Sequence, residues 1–345
     1  MIHKMASLRD FSIKYLHVLG KVFPTQWLIK ATNQKYILPF YHAVSDQPLP
    51  HIDHLYRSKN VKEFINDLEF ILQHFTPVDY KQFTEIAALK QRPQKPVCLL
   101  SFDDGLREFY DVIAPLLINK GIPAVCFVNS AFIDNKSLFF KYKASLLISL
   151  LRENTKSFDQ SALNRWVAEN QIRDIESWLL LVDYAHQKKL DEFASRIGYD
   201  FRSYLNSVQP YLTAQQIEKL ISDGFHFGAH SVDHPEYRFI PFQDQIKQTT
   251  DSIQFIKDQF DLNYSLFAFP FTDYGVSDKF FQTIFGDKIV ELSFGGAGLK
   301  KERYTSHFQR IAFERGTLRA KEIYKIEMIY SAMQSMLGKG VIRRT

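Results

Sequence analysis

Only two cysteines, Cys98 and Cys126, occur in 345 residues, too few for a disulfide framework or a cysteine-built zinc site. Both lie in apolar, strand-like runs and read as small buried hydrophobes, which suits a reducing compartment. Long apolar runs are missing too. The longest, Leu138 to Leu151, contains Lys141 and Lys143 and is shorter than a membrane span requires. Positive charge concentrates clearly only in the first thirty residues and the tail 338–345: 43 basic residues stand against 38 acidic ones, a net +5, and this gives no footprint for nucleic acid. The N-terminus has no uninterrupted apolar segment followed by a small-residue cleavage site, because Lys4, Arg9, Lys14 and Lys21 punctuate it. The expectation is a cytoplasmic protein. No repeat, low-complexity tract or Pro/Gly-rich linker marks a second independent domain.

Aromatic residues are plentiful, with 17 Tyr and 31 Phe. That composition suits stacking on sugar rings and ordinary packing equally. Residues 1–34 read as an N-terminal helical segment. Met5, Leu8, Tyr15, Leu19 and Phe23 among basic residues fit a helix packed on its own domain, or one lying peripherally on an anionic membrane face. From Lys35 onward, β-branched and aromatic runs alternate with segments of helical period, which argues for an α/β fold with a parallel sheet. The expected strands are Tyr36 to Tyr41, Val97 to Phe102, Ala124 to Val128, Phe225 to Ala229, Ser265 to Phe269, Ile289 to Phe294 and Arg310 to Phe313, a number that suits a barrel or a large open sheet.

Helices are expected from Val61 to Phe75, capped by Asn60 with Glu63, and over Leu106 to Leu117, ended by Gly121. Others should begin at Thr213 and run from Ile323 to Leu337. Between about 131 and 212 the β signal disappears. Helices such as Ser145 to Glu153 and Ser177 to Lys189 replace it, so a helical insertion interrupts the domain 35–345 and could form a lid or substrate-recognition subdomain.

The polar outliers follow strands. Tyr41-His42 ends the first, Asp103-Asp104-Gly105 the second, His230-Ser231-Val232-Asp233-His234 the fourth and Pro270-Phe271-Thr272-Asp273 the fifth. In parallel α/β folds the carboxyl ends of strands converge on the active site. Two adjacent carboxylates at a buried strand end are costly unless they enter a polar site, bind a metal or cap a helix. His230 and His234, four apart, suit one ion, although two surface histidines flanking a turn would show the same spacing. With one carboxylate they make a ligand set that leaves positions open for water and substrate. His51-Ile52-Asp53-His54, which follows no strand, reads as a solvated loop.

Ser101-Phe102-Asp103-Asp104-Gly105 followed by His230-Ser231-Val232-Asp233-His234 resembles the first two motifs of the polysaccharide deacetylases, the NodB-homology or carbohydrate esterase family 4 enzymes. The resemblance covers about Tyr36 to Phe313 outside the insertion. It implies a distorted (β/α)7-type barrel, a divalent metal, most often Zn2+, and hydrolytic removal of N-acetyl groups from N-acetylhexosamine units of a polysaccharide or glycan precursor.

Within it, Asp103 matches the catalytic base that takes a proton from metal-activated water, and Asp104, His230 and His234 match the metal ligands. Pro270-Phe271 matches the motif whose backbone N–H stabilises the oxyanion. Two departures stand out. The arginine that orients the base is replaced by Ala268, for which Arg310 could substitute, or else Arg310 is a surface residue. The C-terminal Leu-x-His motif that supplies the acid is not evident, which leaves His307 as one candidate. His42 is the other, because Tyr41-His42-Ala43-Val44 resembles the N-terminal strand motif of poly-N-acetylglucosamine de-N-acetylases. O-acetyl ester or non-sugar amide hydrolysis, and a non-catalytic glycan-binding role, remain alternatives.

Overall fold

The computed structural model describes residues 23–32, 34–88, 93–153 and 158–344. Of the expected N-terminal helical segment 1–34, residues 1–22 and 33 lie outside the described residues. The helix Thr25–Ala31 packs Leu28 and Ile29 into the main core. Among the described residues, no helix is long and apolar enough to cross a membrane.

Alternating side chains along each strand divide the apolar residues between two layers. Leu38, Val97, Leu99, Val125, Phe127, Leu266, Ala268, Leu292 and Phe294 form one buried cluster. Their neighbours Ile37, Cys98, Leu100, Cys126, Phe227, Phe267 and Ile311 belong to another, shared with the helices. Period-2 alternation with both faces apolar is what a parallel sheet needs when helices cover one side and its own curvature encloses the other.

The strands are β1 (Tyr36–Ile37), β2 (Pro39–Tyr41), β3 (Thr76–Pro77), β4 (Val97–Cys98), β5 (Leu100–Phe102), β6 (Ala124–Val128), β7 (His226–Ala229), β8 (Leu266–Ala268), β9 (Leu292–Gly295), β10 (His307–Gln309) and β11 (Ile311–Ala312). All pair in parallel, in the order β10-β9-β8-β7-β6-β5-β2-β11, with a small sheet β1-β4-β3 beside them. Single residues separate β1 from β2, β4 from β5 and β10 from β11, so these pairs run as continuous segments. The last segment bonds β9 on one side and β2 on the other, with Arg310 N–H donating to Gly295 O and Ile311 N–H to Leu38 O. It thereby brings the two sheet edges together into a nearly closed barrel of seven staves.

Each stave overlaps one expected strand, although the closing one starts at His307 rather than at the expected Arg310. β3 was not expected: its two residues sit at the foot of a helix and pair only at the edge of β4.

Helix starts follow the capping chemistry. Asn60 and Glu63 form a reciprocal capping box for Val61–His74, and Thr213 with Gln216 does the same for Ala214–Ser222. The helix expected from Leu106 begins later, with a π-turn at Phe109–Ile113 leading into Ala114–Lys120. Pro115, which has no N–H to give, sits at that junction.

Between β6 and Ala214–Ser222 the chain is helical: Phe140–Arg152, Gln160–Glu169, Ile175–Leu181, Lys188–Ile197 and Phe201–Val208. The helix expected over Ser177 to Lys189 is broken, because Val182 turns extended and Asp183 caps a new 3-10 turn through the His186 N–H. These helices bury a cluster of their own, including Leu147, Leu179, Leu190, Phe193 and Ile197, which also takes in Ala43, Leu49 and Ile52.

Candidate active site

Inward-facing parity carries five side chains from different staves to one end of the barrel. Asp103 continues the series Val97, Leu99, Ser101; His42 continues Leu38 and Phe40; His230 follows Gly228; Arg310 follows Phe308. Pro270 follows Leu266 and Ala268. Asp103 N–H still donates to Tyr41 O at 3.0 Å, after which Asp104 (φ +70°) and Gly105 (φ +64°) turn the chain. A Cβ on Gly105 would lie 2.8 Å from Val128 Cγ1. Only glycine fits that close approach in a left-handed conformation.

Arg310 grips Asp103 with a two-pronged fork, Nη1 to Oδ1 and Nη2 to Oδ2, both 2.7 Å, and Nη1 also reaches Ser101 Oγ at 3.1 Å. The guanidinium lies inside the barrel over the rings of Phe40 and Phe127. It is buried, not a surface arginine. Burial alone would raise the Asp103 carboxyl; Arg310, with His230, more than reverses that and holds it below its usual range.

Asp104, His230 and His234 converge beside this pair. Asp104 Oδ1 lies 3.5 Å from His230 Nε2 and 3.2 Å from His234 Nε2, and all three residues are buried. Two ligands about 2.0–2.1 Å from a tetrahedral ion lie about 3.3 Å apart. The trio therefore has the spacing, the nitrogen–oxygen composition and the burial of a divalent-metal site. His230 could serve as a neutral ligand: its Nδ1 donates to Ala268 O at 2.8 Å, leaving Nε2 free, and burial lowers its pKa to about 4. Oδ1 of Asp104 is a buried oxygen with no hydrogen bond among the described residues. Its second oxygen accepts the Tyr142 hydroxyl at 2.6 Å.

The loops here hold strained backbone. Asp104, Ser231, His234 and Phe271 all have φ between +54° and +70°, conformations that L-residues with a Cβ adopt at a cost and that gather at functional sites. Ser231 Oγ accepts the His234 N–H at 3.0 Å, and Asn129 ties down the His230 carbonyl. Phe271 and Phe139 pack their rings on His234 with centroids 4.7 and 4.3 Å away.

A cavity of about 480 Å³ opens over the trio, lined by His42, Tyr56, Asp103, Tyr142, Phe271 and Arg310 among others. His42 is a quarter exposed and bonds Glu314 Oε2 through Nδ1 at 2.7 Å. Burial lowers its pKa, but the Glu314 hydrogen bond and charge outweigh that and raise it to about 9.

A model of the family described as polysaccharide deacetylase matches residues 90–280, more than half of the chain. The chain belongs to the polysaccharide deacetylase family. It is thus a carbohydrate deacetylase by family, a hydrolase acting on sugar acetyl groups. The fold agrees. A Streptococcus pyogenes deacetylase, PplD, solved in complex with acetate, superposes with a TM-score of 0.55 at 15% identity, covering 85% of this chain and 98% of its own. IcaB from Ammonifex degensii gives 0.53 at 13% identity, with 86% and 97% covered. A de-N-acetylase from Aggregatibacter actinomycetemcomitans gives 0.51 at 16%, with 84% and 99% covered. No curated protein sequence matches the chain.

Other expected positions of the deacetylase fall elsewhere. His307 does not line the cavity. It is buried in a separate cluster, bonding Ser293 Oγ at 2.7 Å and Asp273 Oδ2 at 3.1 Å, with Glu302 beside it. Arg344 Nη2 enters that cluster at 2.5 Å from Asp273 and 2.6 Å from Glu302, and Gln309 donates to both carboxylates at 2.7 Å. Those carboxylates are already satisfied by fixed donors, so this cluster reads as structural. The 51–54 loop is not solvated either: His51 is buried against Tyr204 and Tyr142, and His54 reaches the cavity wall. The insertion's helices cover it.

Three site residues escaped the motif reading. Glu314 lies two residues after the last stave, so the strand-end rule that found the others points to it too. Tyr142 and Tyr56 follow no strand and left no such mark.

Proposed function

We propose that this deacetylase is a divalent-metal-dependent hydrolase, with Zn2+ as the favoured ion, that removes the acetyl group from an N-acetylhexosamine unit of a polysaccharide or glycan precursor. The observation that carries the reading is the Arg310-gripped Asp103 beside the buried trio Asp104, His230 and His234. Two imidazoles and one carboxylate suit zinc and leave room for water and substrate. When bound, the ion would polarise the acetyl carbonyl and make water acidic enough to attack near neutral pH.

Asp103, ionised and fixed by Arg310, is placed to take the proton of the attacking water as its oxygen adds to the carbonyl carbon. The Phe271 backbone N–H, not that of Pro270, which has none, is the oxyanion donor in this reading, and the left-handed turn at Phe271 fixes its direction. As the carbon–nitrogen bond breaks, the sugar nitrogen needs a proton. His42, paired with Glu314 and protonated near neutral pH, is the group on the cavity wall suited to give it. The missing motif arginine favoured a non-catalytic reading, and Arg310 occupying the same role removes that motive.

The test is acetate release from chitooligosaccharide or poly-N-acetylglucosamine, with and without chelator, alongside acetate release from an O-acetylated sugar. Asp103→Asn should keep the metal and lose about 10²–10⁴-fold in turnover. Asp104→Asn should lose both. Release that is indifferent to chelator, or Asp103→Asn turning over like the parent protein, would sink the assignment, and faster release from the ester would move the substrate to the O-acetyl class.

A further inference from the structure

Asp104 uses its two oxygens differently. Oδ1 faces the Nε2 atoms of His230 and His234, while Oδ2 accepts a 2.6 Å hydrogen bond from Tyr142. The donor does not come from the barrel. Tyr142 lies in the first turn of the helix Phe140–Arg152, inside the insertion, and is itself buried. Its ring is held on three sides: Tyr211 stacks on it at 6.2 Å, Phe139 meets it edge-on at 5.0 Å and His51 at 5.2 Å. Phe139 is anchored in turn, its N–H donating to Tyr211 Oη at 3.1 Å while its ring lies on His234.

An aspartate has a short side chain whose carboxylate plane turns easily about its last bond, a broad and soft torsion. At Asp104 a hydrogen bond to Oδ2 fixes that plane, and it satisfies an oxygen that would otherwise be buried without a donor. The consequence is that one defined oxygen, Oδ1, is presented to the imidazoles.

We propose that Tyr142 is a positioning residue for metal binding: its hydroxyl locks Asp104 so that a single oxygen joins His230 and His234. The helical insertion is then part of the metal-binding apparatus, with the barrel supplying the ligands and the insertion supplying the group that orients one of them. This rests on the reading that Asp104, His230 and His234 hold the ion.

The experiment challenges the full-length, zinc-loaded protein with graded concentrations of a chromophoric chelator and measures the zinc retained. Tyr142→Phe keeps the ring and its packing and removes only the hydroxyl. Its zinc dissociation constant should rise about 10–100-fold. Tyr204→Phe, which removes a hydroxyl in the same insertion that bonds His51 and not a ligand, should retain zinc like the parent protein. Asp104→Asn reports on the underlying reading.

If Asp104→Asn loses zinc while Tyr142→Phe holds it as tightly as the parent, the positioning role is wrong and the metal site stands. If neither variant changes zinc affinity, both fall. Equal weakening by Tyr204→Phe and Tyr142→Phe would trace the effect to a loosened insertion and overturn the proposal.

Discussion

Arg310 shows how strand parity decides what a residue can do. A guanidinium on a surface strand is worth little, yet one position in register with Phe308 turns it into the barrel, where it meets Asp103 with both prongs at 2.7 Å. The family pattern places such an arginine on the strand that here carries Ala268. In this chain the charge enters from the closing stave, and residue 268 keeps only its backbone part, the carbonyl that accepts from His230. Lysine cannot reproduce the fork. Arg310→Lys should keep the metal but reduce kcat about 10²-fold, the scale of a misplaced catalytic group. The acidic limb of its kcat/KM profile should also move to higher pH, because burial raises the Asp103 carboxyl and a poorer partner opposes it less. An unshifted limb, measured across pH 4–8 on properly folded protein, would mean that Arg310 does not tune the base.

At the scale of elements, the staves were legible because each is a short apolar run followed by a polar outlier, and parallel strands need both faces apolar. The capping boxes at Asn60 and Thr213 were legible because they are local chemistry. What could not be read is long-range: the Tyr142–Asp104 bond joins an insertion helix to the end of β5, and no periodicity within either segment announces it. The break at Val182 escaped for another reason. Apolar spacing continues through it, and only the capping by Asp183 gives it away. Tight packing between staves supplies a test of the barrel itself. A Cβ on Gly228 in β7 would come within 2.6 Å of the Phe127 ring and 2.8 Å of Leu266 O. The backbone oxygen belongs to β8 and cannot yield without disturbing the ladder, so Gly228→Ala should destabilise by about 1–3 kcal/mol. Urea unfolding would show this as a lower midpoint with the slope unchanged, and an unaltered midpoint would mean that the staves are looser than described.

For the whole molecule, the insertion and the barrel are joined through the loop after β2, where His51 is buried between Tyr204 and Tyr142, 1% exposed. The sequence shows two histidines and an aspartate beside prolines, which reads as a solvated turn, because the helices that cover it make contacts 91 and 153 positions away in the chain. That burial couples overall stability to pH. Desolvation lowers the His51 pKa to about 4, with the Asp104 charge opposing in part, whereas an unfolded histidine titrates near 6.5. Well above pH 6.5 both states carry the neutral ring and His51 adds no pH dependence. Between 6.5 and 4 the unfolded chain takes up a proton that the folded one refuses, so stability falls as pH falls. From pH 7 to 5 the loss from this group should be about 2 kcal/mol. His51→Gln removes the titration, and urea unfolding of both proteins at pH 5, 6 and 7 in the presence of chelator isolates it, since the remaining titratable groups are common to the two. The variant should show a shallower decline toward pH 5; parallel declines would place His51 in contact with water and undo the account of how the insertion seals against the barrel.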